Sequence, residues 1–176
     1  MNISTFRTRS ITKFLPREVG KKVKKIGLYE VSVILFFVVI PIGAVLIEKS
    51  ITSNANLLVL LFQWFTFSGV GLRLFTAGLR QAIQPTFTLY KIFKISNKSF
   101  LPVIREIGFA NMSIGTIGLL SLFFAGFRVP AAVAGGLYLG IAGIQHAFRP
   151  HKASEEVFAM ITDLYMFIVL FGLMIL

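Results

Sequence analysis

Five stretches of this chain are apolar for long enough to cross a bilayer, which leaves few folds open to it. They cover about 29–48, 57–80, 105–126, 129–148 and 156–176. A helix needs roughly 20 mostly apolar residues to span a hydrocarbon core about 30 Å thick, and its backbone groups must be satisfied within the segment. Each stretch is therefore expected to be a transmembrane helix, giving an all-α polytopic membrane protein, a five-helix bundle. Arg73 interrupts the second stretch and small residues fill the fourth, so four crossings plus a re-entrant segment is the alternative reading. Charged residues make up 14% of the chain and hydrophobic ones 56%. Soluble domains carry about 25% charged residues, so the surplus apolar surface has to face lipid. One transmembrane domain, 29–176, is expected to follow a basic arm, 1–28.

Lys and Arg placement gives an expected orientation. The arm holds Arg7, Arg9, Lys13, Arg17, Lys21, Lys22, Lys24 and Lys25. The second connection and its flanks hold Arg80, Lys91, Lys94, Lys98 and Arg105, and the fourth holds Arg149 and Lys152. The opposite side has Lys49 and Arg128 alone, with Arg73 left at membrane depth. The N-terminus is thus expected in the cytoplasm and the C-terminus outside. The first apolar run is longer than a secretory signal's. The arm, free of acids up to residue 17, reads either as a polybasic membrane-surface segment or as a targeting segment. Net charge is +11, distributed in blocks between apolar segments, which suits anionic lipid headgroups and not nucleic acid.

The second connection carries structure of its own. Pro85 must end the preceding helix, because proline lacks the amide proton and clashes with the turn before it. Over 86–95, Leu89, Ile92 and Phe93 fall at i, i+3 and i+4 with Lys91, Lys94 and Lys98 alongside. That pattern predicts a short interfacial helix with its apolar side in lipid and its lysines among anionic headgroups. A soluble partner-binding loop is the alternative.

Ionisable side chains in hydrocarbon are costly and face a partner or a cavity. Glu30, Arg80, Glu106 and His146 lie near the expected cytoplasmic boundary. Asp163 and Arg73 are each seven residues deeper, from Glu156 and Arg80 respectively, which is roughly 10 Å at helical rise. Matched depth and opposite sign predict an Arg73–Asp163 pair. Gln63, Thr66, Arg73, Arg80 and Gln84 form a polar stripe on the second helix, and Glu156, Ala159 and Asp163 one on the fifth. The candidate polar cluster is Arg73, Arg80, Glu106, Asn111, His146 and Asp163. It reads either as buried pairs that fix helix register or as a hydrated cavity that binds a ligand.

Small residues suggest where helices approach closely. Asn111, Gly115 and Gly118 share one side of the third helix, and Gly136 and Gly140 mark a ladder on the fourth. With the turn at Arg128-Val129-Pro130 between them, these predict a tight hairpin of helices three and four. Gly69-Val70-Gly71 is too short a motif to assign. No His-carboxylate spacing fits a metal, and no P-loop, GxGxxG or nucleophile–base pair is present. No catalytic residue, metal ligand or obligatory cofactor is assigned. With cysteine absent, disulfides and thiol redox chemistry within the chain are excluded.

Three stretches resemble a known group: "AGLRQAIQPTFTLYKIF" (77–93), "FLPVIREIGFANMSIGTIGLLSLF" (100–123) and "RVPAAVAGGLYLGIAGIQHAF" (128–148). An acidic residue before a Gly-Phe-Ala-Asn core, then a glycine-spaced helix ending near a histidine, resembles small bacterial membrane proteins of unknown function, DoxX-like in pattern. The matching residues are Glu106, Gly108, Phe109, Ala110, Asn111, Gly115, Gly118 and His146, within 57–148. The resemblance implies a small helical bundle in a bacterial inner membrane, with a quinone or lipid as the ligand it would take. DoxX-like proteins commonly have four helices, against five stretches here. The expected function is a non-enzymatic bundle, a homo-oligomer or part of a membrane complex, whose polar cluster binds an anionic lipid, a quinone headgroup or a small solute. A proton- or cation-coupled transporter acting as an oligomer, and a membrane subunit of an oxidoreductase, are the alternatives.

Overall fold

The computed structural model describes residues 27–150, 152 and 154–176. Most of the basic arm and His151 lie outside them. Among the described residues the fold is all-helical, with five helices long and apolar enough to cross a membrane: α1 Leu28–Ile51, α2 Leu57–Ile83, α3 Lys98–Phe123, α4 Ala125–Phe148 and α5 Ser154–Ile175. The fourth apolar stretch is a full helix, so the re-entrant alternative falls. A short helix over 85–92 joins α2 to α3.

The chain's own chemistry sets the helix ends. Asn56 caps α2, its Oδ1 accepting from the amides of Leu58 and Val59. Gln84, the residue before Pro85, leaves the helical region at φ −127° and ψ 63°, because the proline ring disfavours α geometry in its predecessor. At the opposite end of the bundle the Trp64 indole N–H donates to Glu48 Oε2 at 2.6 Å. Arg128 Nη2 donates to Gln63 Oε1 at 2.5 Å, so Gln63 serves that end and not the polar stripe below it.

Helix α1 carries a widened π turn at Leu35–Val39, just before Pro41. The Ile40 amide reaches back five residues to the Leu35 carbonyl, and Pro41 has no amide to offer. The Phe36 carbonyl is thereby left without a backbone donor at membrane depth. The Ser68 hydroxyl of α2 donates to it at 2.5 Å, and Ser68 is fully buried. Ser68→Ala strands that carbonyl in hydrocarbon. It is expected to cost about 1–3 kcal/mol, measured as a lowered midpoint when the detergent-solubilised protein is unfolded by denaturant.

Helix α2 occupies the centre of the bundle. Its own π turn, Thr66–Leu72, is buried at Thr66, Ser68, Gly69, Val70 and Gly71. Val70 packs against Gly135 of α4, and Gly69 against Met166 of α5. Gly71 faces Gly118 of α3 so closely that an added methyl would lie 2.8 Å from the Gly118 and Leu119 backbone. The Gly69-Val70-Gly71 segment is thus a packing hub, although the motif alone did not reveal it.

Helices α3 and α4 form a hairpin in contact, as expected, but the expected glycine seam between them is corrected by these neighbours. The small face of α3 meets α2: Gly118 backs onto Gly71, Gly115 onto Phe75, and Gly108 onto Gly78. The α4 ladder meets α5, with Gly136, Gly140 and Gly143 receiving Phe171, Phe167 and Leu164. A stripe of small residues specifies close approach and says nothing of which helix approaches. Here α3 accepts a backbone and α4 accepts side chains.

The short helix 85–92 also departs from expectation. Thr88, Leu89 and Ile92 are buried, so its apolar side faces the bundle and not lipid. It closes that end of the helices as a floor. Lys94, at φ 56° in the left-handed region, ends it. Lys91, Lys94 and Lys98 remain exposed, as the pattern predicted.

Candidate functional site

Above this floor lies a cavity of about 920 Å³, bounded by all five spanning helices and the short helix. Its walls are largely apolar, contributed by Phe36, Leu74, Leu139 and Ile92 among others. Leu28, Leu79 and Ile83 line it while being 81%, 41% and 68% exposed. The cavity therefore reaches the outer, lipid-facing surface of the bundle.

A few polar groups project into this space. Arg73 and Arg80 enter from α2, Asn111 from α3, Tyr138 and His146 from α4, and Asp163 from α5. Five of the six expected cluster residues thus share one cavity. Glu106 does not: it is exposed on the outer face of α3 and absent from the cavity wall. It precedes Gly108 by two residues, about 200° around the helix, so the glycine side that docks on α2 turns Glu106 outward.

Arg73 and Asp163 share the cavity but do not touch, with no ion pair within 4.0 Å between them. The expected pair is thus corrected to two charges on one cavity wall without contact. The Arg73 guanidinium lies 5.7 Å from the Tyr29 ring centroid and 5.9 Å from that of Phe37, close enough for cation–π attraction. Its Nε is buried without a hydrogen-bond acceptor. Asp163 is 7% exposed and makes no hydrogen bond among the described residues. Asn111 Nδ2 donates to Gln81 Oε1 at 2.7 Å, while Asn111 Oδ1 is buried and unpartnered. Buried polar groups in native proteins are nearly all satisfied, so two buried unmet atoms, Arg73 Nε and Asn111 Oδ1, beside the unbonded Asp163 carboxylate form a distinct signal at one cavity, while a third such atom, Thr66 Oγ1, lies outside its wall.

Arg80 lies nearer the floor, its guanidinium 3.7 Å from the Phe87 ring centroid. Beside the cavity a second cluster is fully paired. His146 Nδ1 lies 2.9 Å from Glu156 Oε1, and Arg149 Nη1 lies 3.0 Å from the same oxygen. Arg149 also donates to the Phe93 carbonyl at 3.1 Å, and the Phe93 ring stacks on His146 with centroids 6.3 Å apart. This knot ties the short helix to the α4–α5 junction. Glu156 had been placed on a polar stripe without a partner. The short α4–α5 connection, which brings residues 146, 149 and 156 together, was the available clue.

Fold and cavity together define a polytopic membrane protein with an interior cavity, apolar in its walls and polar at a few points. The chain belongs to a family of unknown function, DUF6790, whose pattern matches residues 30–176. The match takes in α1 and α5, which the resemblance over 57–148 left out. No curated protein and no solved structure matches it.

Proposed function

We propose that this chain is a non-enzymatic membrane protein that binds an amphipathic molecule, with the tail among the cavity's apolar walls and the headgroup at Arg73, Asn111 and Asp163. The observation that carries this reading is the cavity itself: about 920 Å³, near the upper end of the roughly 300–1,000 Å³ usual for ligand sites. It is open on the lipid side and lined by polar groups that the protein leaves unmet. An amphiphile can enter from the lipid-facing side, where Leu79 and Ile83 are exposed, without leaving the bilayer. By the count of basic residues, the floor end of the cavity faces the cytoplasm, in keeping with a bacterial inner membrane, and Arg73, Asn111 and Asp163 lie deeper than that floor. Arg80 and the exposed lysines 91, 94 and 98 would favour anionic lipid around the opening. The DoxX-like resemblance makes a quinone one candidate occupant.

Native mass spectrometry of the protein extracted in mild detergent tests this reading. Wild type is expected to retain a discrete small-molecule adduct, and Ala77→Trp, which fills the cavity from α2, to lose it while keeping its helical circular dichroism. Bare protein from several host membranes, with no adduct regained on adding membrane lipid extract, would end the reading. The same spectra report self-association.

A further inference from the structure

We infer that the headgroup bound in the cavity carries both a positive and a negative charge, a zwitterion bridging Arg73 and Asp163. This rests on the amphiphile reading above and specifies its ligand. Two opposite charges at matched depth in a membrane protein would ordinarily close into a contact pair, since each alone is costly there. Here they face the same cavity and lie beyond 4.0 Å, with no ion pair made by either, although Asp163 feels the charge of Arg73 and of His146. The shape of the polar lining is complementary at both ends. Arg73 offers only donors, a planar fork suited to a phosphate or carboxylate. Asp163 and the unpartnered Asn111 Oδ1 offer acceptors, suited to an ammonium with N–H groups. A purely anionic headgroup would satisfy Arg73 and leave Asp163 facing a like charge. An uncharged one would leave the two charges to compensate each other only at a distance across the cavity. A headgroup holding an ammonium a few bonds from a phosphate satisfies Arg73, Asn111 and Asp163 at once.

The test uses the full chain, delipidated in detergent and titrated with lipids of identical dioleoyl tails, followed by native mass spectrometry. Phosphatidylethanolamine is expected to bind about tenfold or more tightly than phosphatidylglycerol, the scale of one charge-assisted hydrogen bond. Asp163→Asn, nearly isosteric, should erase that preference by weakening only the ethanolamine lipid. Arg73→Gln should weaken both lipids, and Arg73→Lys should restore part of the loss. Equal or tighter binding of phosphatidylglycerol to wild type, or a preference unchanged in Asp163→Asn, would overturn the zwitterion while leaving an amphiphile site in place. Free phosphoethanolamine displacing the lipid at similar concentration would support the headgroup chemistry and remove the amphiphile reading. Failure of every lipid to bind would remove both.

Discussion

Gly118→Val is expected to destabilise the bundle by about 3 kcal/mol or more, at or beyond the upper end for overpacked cores. At most overpacked sites a flexible side chain moves aside. At Gly118 the obstructing atoms are the backbone of Val70 and Gly71, and α3 meets α2 through glycines at two further points, Gly108 on Gly78 and Gly115 on Phe75. Relief therefore requires shifting a whole helix, which would pull the Asn111–Gln81 hydrogen bond apart as well. Transmembrane helices gain little from apolar burial against one another, because lipid is equally apolar. Close backbone approach is what holds them. Gly43 and Gly172 are the controls, since nothing lies within 4 Å of a methyl added at either. Alanine at those positions should be neutral or stabilising by up to about 1 kcal/mol, the helix-propensity difference. Trp64, the single tryptophan, supplies a fluorescence signal for unfolding in denaturing detergent. A Gly118→Val midpoint indistinguishable from that of Gly43→Ala would mean the α2–α3 contact does not hold the fold.

Helix number was legible in the sequence because hydropathy is a one-dimensional property and a membrane imposes a fixed length on it, whereas the ends were coarser, α3 beginning at Lys98 and not at 105. Counting residues from the boundary brought Arg73 and Asp163 to one level, and the structure has both lining one cavity. Rotation about the helix axis and the choice of neighbour were harder to read. Glu106 was assigned by depth alone, although the Asn111/Gly115/Gly118 side already implied that a residue two positions before Gly108 points away from it. The partners of Gly115 and Gly136 could not be read, because a glycine shows that something comes close without showing what. The short helix 85–92 was found, but its apolar side was given to lipid, because the amphipathic pattern looks the same whether the cover is lipid or protein. The Ser68–Phe36 bond needed a π turn that no propensity announces, even though Pro41 marked the place where a carbonyl would go wanting.

Removing both partners of Glu156 should be more harmful than removing Glu156 itself. The carboxylate is the deepest charged group of its cluster, 3% exposed against 11% for the His146 side chain and 35% for Arg149. In His146→Leu/Arg149→Ala it remains in place with neither partner, and stranding a buried charge typically costs about 3–5 kcal/mol. In Glu156→Leu the remaining groups fare better. The Arg149 guanidinium already reaches solvent, and it keeps the Phe93 carbonyl as an acceptor. The single substitution is therefore expected to cost about 1–2 kcal/mol, the penalty for unpaired polar groups. The sharper expectation concerns the triple variant. Adding Glu156→Leu to the damaging pair should restore most of the loss, because it removes the stranded charge. Roughly 1 kcal/mol should stay unrecovered for the Arg149 bond to Phe93. Denaturant midpoints read from Trp64 give all four values on one scale. If the triple variant is no more stable than the double, Glu156 is held by packing and not by its charge partners. Rescue would show that the α4–α5 junction and the floor of the cavity are fastened by one carboxylate.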